Sequence, residues 1–330
     1  MTAYLVRRVA HVLGLLCLVL LVVSVLLRVV PGDPVDIMMA GNPGATKADL
    51  DKVREQLGLT APVYVQVARY VGAVVRGDLG ESLRYRSPVR ELILERLPAT
   101  VELTVVSLLL AVAFAAPVGI VTALHRESAV DYIGSALAVL GLSTPSFVLG
   151  ILLILLFAVH WRIFPAVGWG GSLAQGLWAA VRGADPAALG RSVYFLFLPS
   201  LSLAASVTAA NARMIRSAML EVLRQDYVRV AQAKGLRGTT IAMKHAFRNA
   251  LIPVVTILGL QVSFLVAGAV LVENVFSLPG LGRLAYLALS QRDLIVLRNV
   301  VMLLAAMVIL ANFIVDLVYL ILDPRLRARS

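Results

Sequence analysis

The chain holds one cysteine, Cys17, and it lies inside an apolar run. A single thiol excludes an intramolecular disulfide framework and a zinc site built from several thiolates. Charge is scarce too: Asp, Glu, Lys and Arg make up 15% of the 330 residues, whereas apolar types make up 60%. An ordinary soluble domain carries about a quarter charged residues, so that class is excluded and an integral membrane protein is predicted. The four histidines, His11, His125, His160 and His245, are scattered, with no HExxH spacing, which predicts neither a catalytic constellation nor a metal site. No GxxxxGK[ST] stretch occurs, so no loop of the kind that cradles nucleotide phosphates is expected.

What the chain has is long hydrophobic runs. A helix needs about 20 apolar residues to cross a bilayer, because hydrocarbon offers no water to its backbone groups. Six segments qualify: approximately Val9 to Val30, Val101 to Leu124, Tyr132 to Val159, Val193 to Ala212, Ile252 to Val272 and Val300 to Leu322. The third is the longest and contains Pro145, which predicts a kink or break. The first is too long for a signal peptide and no small-residue cleavage pattern follows it, so it reads as a retained anchor.

Basic residues in short loops stay cytoplasmic. With the N-terminus inside, fourteen Lys and Arg fall on the inner side, eight of them between Arg213 and Arg248, against six in the short outer loops. Both termini are therefore expected in the cytoplasm. This placing also accounts for the formal charge of +11, which meets anionic lipid and cytoplasmic partners rather than nucleic acid.

Between the fourth and fifth spans lies QDYVRVAQAKGLRGTTIAMKHAFRNALIPVV, with six basic side chains, His245 included, against one acid, Asp226. Tyr227, Val230, Ala231 and Lys234 recur at helical spacing. Gly235 and Gly238 predict a turn, Thr239 or Thr240 a cap for a second short helix, and Pro253 the start of the next span. Ile241, His245, Phe247 and Leu251 would pack that helix on the first. The expectation is a compact basic knuckle on the cytoplasmic side, either a hairpin lying in anionic headgroups or a docking element for a partner.

DYVRVAQAKGL followed by HAFRNALIPVV resembles the cytoplasmic coupling loop of permease subunits of ATP-binding-cassette importers, in the dipeptide, oligopeptide and nickel branch. The general importer pattern is Glu-Ala-Ala, three residues, Gly; here Arg229, Val230 and Ala231 stand in the first three places before Gly235, so the Glu is missing. AKGL with HAxRNAxxP is the form typical of the peptide branch. Further stretches match in order along nearly the whole chain: PGDP from Pro31, LGLTAPV from Leu57, GDLGES from Gly77, LPSLSL from Leu198, RSAMLEVL from Arg216 and ENVFSLPGLGRL from Glu273.

The resemblance implies an all-α integral membrane protein of importer-permease type, with six transmembrane helices and an extracytoplasmic helical insert after the first span. Residues 1–30 would be the tail and first span, 31–98 the insert, and 99–330 a five-span core with the coupling loop at 213–251. It further implies a multi-pass subunit of the bacterial cell membrane, working with a second permease, two ATPase subunits or domains that bind ATP and Mg, and an extracytoplasmic solute-binding protein. Asp226 to Lys234 would be the coupling helix, with Tyr227 and Ala231 packing into the ATPase groove. Arg229, Lys234 and Arg237 would offer charge, Gly235 would aim the helix, and His245 with Asn249 would brace the knuckle. The cargo implied is dipeptide or oligopeptide, with nickel, haem or glutathione as alternatives; a stand-alone secondary transporter is the rival, for which no inverted repeat is detected.

In the outer segment, Thr46 with Asp49 resembles a capping box that would begin a helix ending at Gly58, and Ser87 with Pro88 marks another start, with Val89, Leu92, Ile93 and Leu97 on one face. This segment would receive the binding protein, with the turn-rich stretch containing Glu273, Asn274, Pro279 and Gly280 serving either docking or helix-end packing. Within the spans, Glu102, Asn211, Gln261, Asn312 and Asp316 stand out as polar groups that are costly against lipid. Ser143, Thr144 and Gln261 are candidates for lining a path; the others read as interhelical hydrogen-bonding groups.

Overall fold

The computed structural model describes residues 2–29, 61–82, 84–183 and 185–322. They are predominantly helical, as the apolar runs predict. In chain order the elements are α1 (Thr2–Val29), α2 (Val63–Val75), a two-residue antiparallel pair β1 (Glu81–Ser82) and β2 (Ser87–Pro88), α3 (Val89–Leu124), α4 (Ala129–Ser143) and α5 (Ser146–Leu153). A π-helical stretch, Ile154–His160, continues α5. Then come α6 (Leu173–Val181), α7 (Pro186–Leu223), α8 (Asp226–Ala233), α9 (Gly238–Thr240), a second π-helical stretch (Ile241–Phe247), α10 (Arg248–Val275), α11 (Leu281–Ser290) and α12 (Leu294–Leu322). The helix expected from Thr46 to Gly58 lies outside the described residues.

Among the described residues, α3, α7, Ile257–Val275 of α10 and Leu294–Val315 of α12 are long and apolar enough to cross a membrane. A fifth candidate is the bent pair Ala129–Ser143 and Ser146–His160, whose halves meet at 109°. This is the break expected at Pro145. Thr144 is extended, as the residue before a proline prefers, and Pro145 opens α5 where its missing N–H costs nothing. The first expected span falls on α1, whose side chains are described from Arg7 to Val23.

Two compact units can be distinguished. One comprises Met1–Pro98, Pro279–Phe313 and Asp323–Ser330. Its core packs Val89, Leu92 and Ile93 of α3 on Leu281, Leu284 and Ala288 of α11 and Val296 and Val300 of α12. The expected apolar face of the helix after Pro88 is therefore the one buried. Ser82 donates to Asp293 at 2.6 Å, and Asp293 in turn accepts from the Val296 N–H in the first turn of α12. Tyr70 of α2 donates to Asn299 at 2.8 Å, while the Arg298 guanidinium stacks 3.7 Å from the Tyr70 ring centroid. Burial pushes the Tyr70 phenol up, against the opposing pull of Arg298.

The other unit comprises Ala99–Leu278 and Ile314–Leu322. Its mast is α7, 38 residues long, which packs against α4, α5, α6 and α10. Asp185 caps it by accepting from the Ala187 N–H at 3.0 Å, Pro186 occupies its first turn, and the Arg191 guanidinium beside Asp185 holds that carboxyl below its ordinary value. Leu196, Leu198, Leu203 and Val207 of α7 meet Leu265, Ala269 and Val272 of α10 in the core.

Helices in lipid gain cohesion by close approach, because the solvent is as apolar as their side chains. Gly119 of α3 makes that possible: a Cβ there would lie 2.7 Å from the Ile215 Cβ and 2.8 Å from the Ala212 carbonyl oxygen. Gly119→Val is expected to overpack the α3–α7 contact at a cost of about 1–3 kcal/mol. Thermal unfolding of the detergent-purified protein would register this as a lower midpoint, while Ala113→Val, on an exposed face of the same helix, should leave the midpoint within error.

Candidate functional site

The knuckle between the fourth and fifth expected spans forms as two short elements on a shared apolar pin. Val228 of α8 and Ile241 at the start of the π-helical stretch are both buried, packed with Val222 and Leu223 from the end of α7. Ala242 and Ala246 join Ile215 and Met219 beneath. Gly235 turns the chain at a φ of +73°, in the left-handed region that side chains with a Cβ avoid, and a Cβ there would meet no atom within 4 Å. The strain of any replacement is thus one of backbone alone.

Outside this pin, Asp226, Tyr227, Val230, Lys234, Leu236, Arg237 and Met243 are exposed. Tyr227 is 45%, Val230 53% and Met243 51% exposed, so the outer face offers apolar area flanked by Lys234 and Arg237. The backbones of Arg229 and Ala231 lie on α8, that of His245 on the π-helical stretch and that of Asn249 at the start of α10; their side chains lie outside the described residues. Two expectations change here. No threonine caps the second element, since helix starts at Gly238 with Arg237 before it. And Val228, absent from the expected apolar face, is the residue that ties α8 down; its signal was the i−6 relation to the half-buried Val222, which crosses a helix end and so escapes a periodicity search.

The path candidates separate. Ser143 is exposed and Thr144 half-buried, both at the break between α4 and α5. Gln261 of α10 is buried and accepts a short hydrogen bond from the Asn211 amide of α7, which also donates to the Val207 carbonyl at 2.7 Å. Gln261 therefore joins two helices, the interhelical hydrogen-bonding role that such polar groups in spans commonly take.

The turn-rich stretch after α10 is seated inward. Glu273 is fully buried and accepts from the Thr100 hydroxyl at 2.6 Å; Asn274 is half-buried and donates to the Val270 carbonyl. Phe276 fills the space over Gly150, where a Cβ would lie 2.9 Å from its ring, and the Phe276 carbonyl accepts from the Gly168 N–H. Pro279 is half-buried, and Gly280 is buried at the start of α11. Glu273 and Gly280 thus take part in helix-end packing.

Two further carboxylates act over long range. Glu102 of α3 accepts from the Ser172 hydroxyl at 2.5 Å and from the N–H groups of Leu173 and Ala174, so a span supplies the negative charge at the N-terminus of α6. Asp131 of α4 takes both arms of the Arg216 guanidinium on α7, each at 2.7 Å. Only 5% of the Asp131 side chain is exposed, and it also accepts from the Glu127 N–H. Among the described residues no group of three or more His, Cys, Asp or Glu is placed to hold a metal ion.

A multi-pass helical membrane protein, its spans pinned by buried polar pairs and the loop after α7 folded into an apolar-faced basic knuckle, is the class these features define. Residues 115–328 match the family described as binding-protein-dependent transport system inner membrane component, and residues 1–104 match the N-terminal part of such components. The chain belongs to that family, as a permease subunit of an importer of the ATP-binding-cassette type. It is 38% identical to the dipeptide transport system permease protein DppB of Escherichia coli K12 over the full length of both chains. It is 40% identical to the di/tripeptide transport system permease protein DppB of Pseudomonas aeruginosa UCBPP-PA14, with 99% of each chain covered. The glutathione transport system permease protein GsiC of Salmonella paratyphi A is 38% identical, again with 99% of each covered.

The Asp131–Arg216 pair predicts a specific pattern. Asp131→Asn leaves Arg216 without its carboxylate and should lower the thermal midpoint more than Arg216→Gln combined with it does. A double-mutant cycle should return a coupling of about 0.5–3 kcal/mol, read from thermal or denaturant unfolding of the purified protein.

Proposed function

We propose that this chain forms half of the translocation path of an ATP-driven importer of dipeptides or oligopeptides, and that the knuckle couples it to a cytoplasmic ATPase. The observation that carries the reading is the knuckle's outer face, where Tyr227, Val230, Leu236 and Met243 stand exposed beside Lys234 and Arg237 while Val228 and Ile241 anchor it to α7. An apolar patch held rigid and rimmed by charge is the form of a protein docking surface. In this reading Tyr227 and Ala231 enter a groove on the ATPase, Arg229, Lys234 and Arg237 meet acidic or polar groups there, and Asp226 begins the inserted helix. Gly235 sets its angle, and His245 and Asn249 brace the element behind it.

ATP and Mg belong to two ATPase subunits or domains, since this chain has no phosphate-cradling loop. A second, non-identical permease completes the path, with Ser143 and Thr144 at the α4–α5 break as its lining candidates from this side. Both termini lie in the cytoplasm, and the outer segments receive a solute-binding protein that sets most of the selectivity. Peptide cargo is favoured by the two relatives named for dipeptides and di/tripeptides. Glutathione, itself peptide-like, is the second reading, because a relative named for it matches equally along the chain.

The test is co-purification of the chain with its candidate ATPase while ATP hydrolysis is followed. Arg229→Glu combined with Lys234→Glu should lose most of the bound ATPase or its stimulation yet unfold at the wild-type temperature, whereas Gly235→Pro, whose ring cannot adopt the φ of +73°, should lose the ATPase and also unfold somewhat earlier. A wild-type chain that holds no ATPase and moves solute alone on an ion gradient would overturn the reading in favour of a secondary transporter. Competition of dipeptide against glutathione in reconstituted vesicles separates the two cargoes.

A further inference from the structure

Beside the Asp131–Arg216 pair, α4 and α7 part to leave a cavity of about 660 Å³. Its lining is graded. The antiparallel helices place Ser135 of α4 near Arg216 and Ser217 of α7 at the end toward the knuckle. Val139, Leu142 and Ala210 line it further from the knuckle, with Arg213 and Met214 between the two zones. Leu142 stands one residue from the end of α4 at the break, well inside the third expected span, whereas Arg213 follows the last residue of the fourth. The cavity therefore runs from the membrane surface into the hydrocarbon, polar at one end and apolar at the other.

Its charge is unbalanced. Arg216 is answered by Asp131. Arg213 has an exposed side chain and, among the described residues, no carboxylate within ion-pairing distance. One positive charge with a neighbouring hydroxyl thus stands at headgroup depth, above a greasy slot. Basic pockets between spans on the cytoplasmic side suit the phosphate of an anionic lipid. A soluble anion would match only the polar end and would leave the apolar end empty.

We propose that this cavity binds an anionic phospholipid of the inner leaflet, its phosphate on Arg213 with the Ser217 hydroxyl, and one acyl chain along Val139, Leu142 and Ala210. The assignment rests on the cytoplasmic placing of the knuckle proposed above. Occupancy would fill the gap between α4 and α7 beside the joint at Pro145.

The experiment uses the complete transporter complex, purified, delipidated and incubated with phosphatidylglycerol or phosphatidylcholine of the same acyl chains, with retained lipid counted by native mass spectrometry. Phosphatidylglycerol should be retained over phosphatidylcholine. Arg213→Gln should lower its retention about fivefold, and Arg213→Lys should restore most of it. Val139→Trp, which fills the apolar end without touching the charge, should lower retention as well. Equal retention of the two lipids, unchanged retention in Arg213→Gln, or displacement of phosphatidylglycerol by millimolar inorganic phosphate would each overturn the proposal, the last by making this a soluble-anion site. Loss of the ATPase from the wild-type complex with lipid selectivity intact would count against the importer reading alone, whereas a retained ATPase with no lipid selectivity would count against the lipid site alone.

Discussion

Hydrocarbon sets the terms for this protein. It withholds hydrogen bonds from any exposed backbone, so each span must be helical, and it gives no hydrophobic reward for one helix touching another. Cohesion must then come from dispersion at short range and from polar groups that find each other out of water. Both devices converge on α7. Gly119 and Gly141 bring α3 and α4 onto it within backbone distance. Asn211 ties it to Gln261 of α10, and Arg216 ties it to Asp131 of α4. The knuckle that follows is fastened to its last turn by Val222 and Leu223.

The polar pins are placed by depth. Asn211 and Gln261, uncharged, meet where two helices press together, whereas the ionised pair Asp131–Arg216 sits at the start of α4 and toward the end of α7. A buried charge is tolerable only when paired and hydrogen-bonded. Asp131 meets that demand with the guanidinium and the Glu127 N–H together. Glu102 meets it differently, by capping α6 with three donors.

Much of this was legible in the chain. Runs of apolar residues gave the four long apolar helices and the bent pair found among the described residues, Pro145 gave the break, and Gly235 gave the left-handed turn, because each is a local signal that the backbone must obey. The partners of polar residues were not legible. Glu102 and Ser172 are 70 residues apart, Asn211 and Gln261 are 50 apart, and Ser82 and Asp293 are 211 apart. Nothing in the periodicity of one helix says which face of another it will meet. Gln261 left two readings open for that reason: an isolated amide in an apolar run looks the same whether it faces a solute or a neighbouring helix. Val228 was hidden for the complementary reason, since a residue one turn past a helix end packs by the geometry of the turn rather than by helical spacing.

Pro199 interrupts α7 from within. It removes one rung of the hydrogen-bond ladder, and such a point is where a long helix bends. The interruption is off-centre. About 36 Å of helix runs from it to the knuckle and about 20 Å to the end capped by Asp185, at 1.5 Å of rise per residue. Arms of unequal length swing unequally: for a given bend at Pro199, the knuckle end is displaced nearly twice as far as the Asp185 end. The position of the proline thereby sets the ratio of the two arms of α7, and because its ring is buried among the neighbouring helices, moving it along the helix would change that ratio and the packing together.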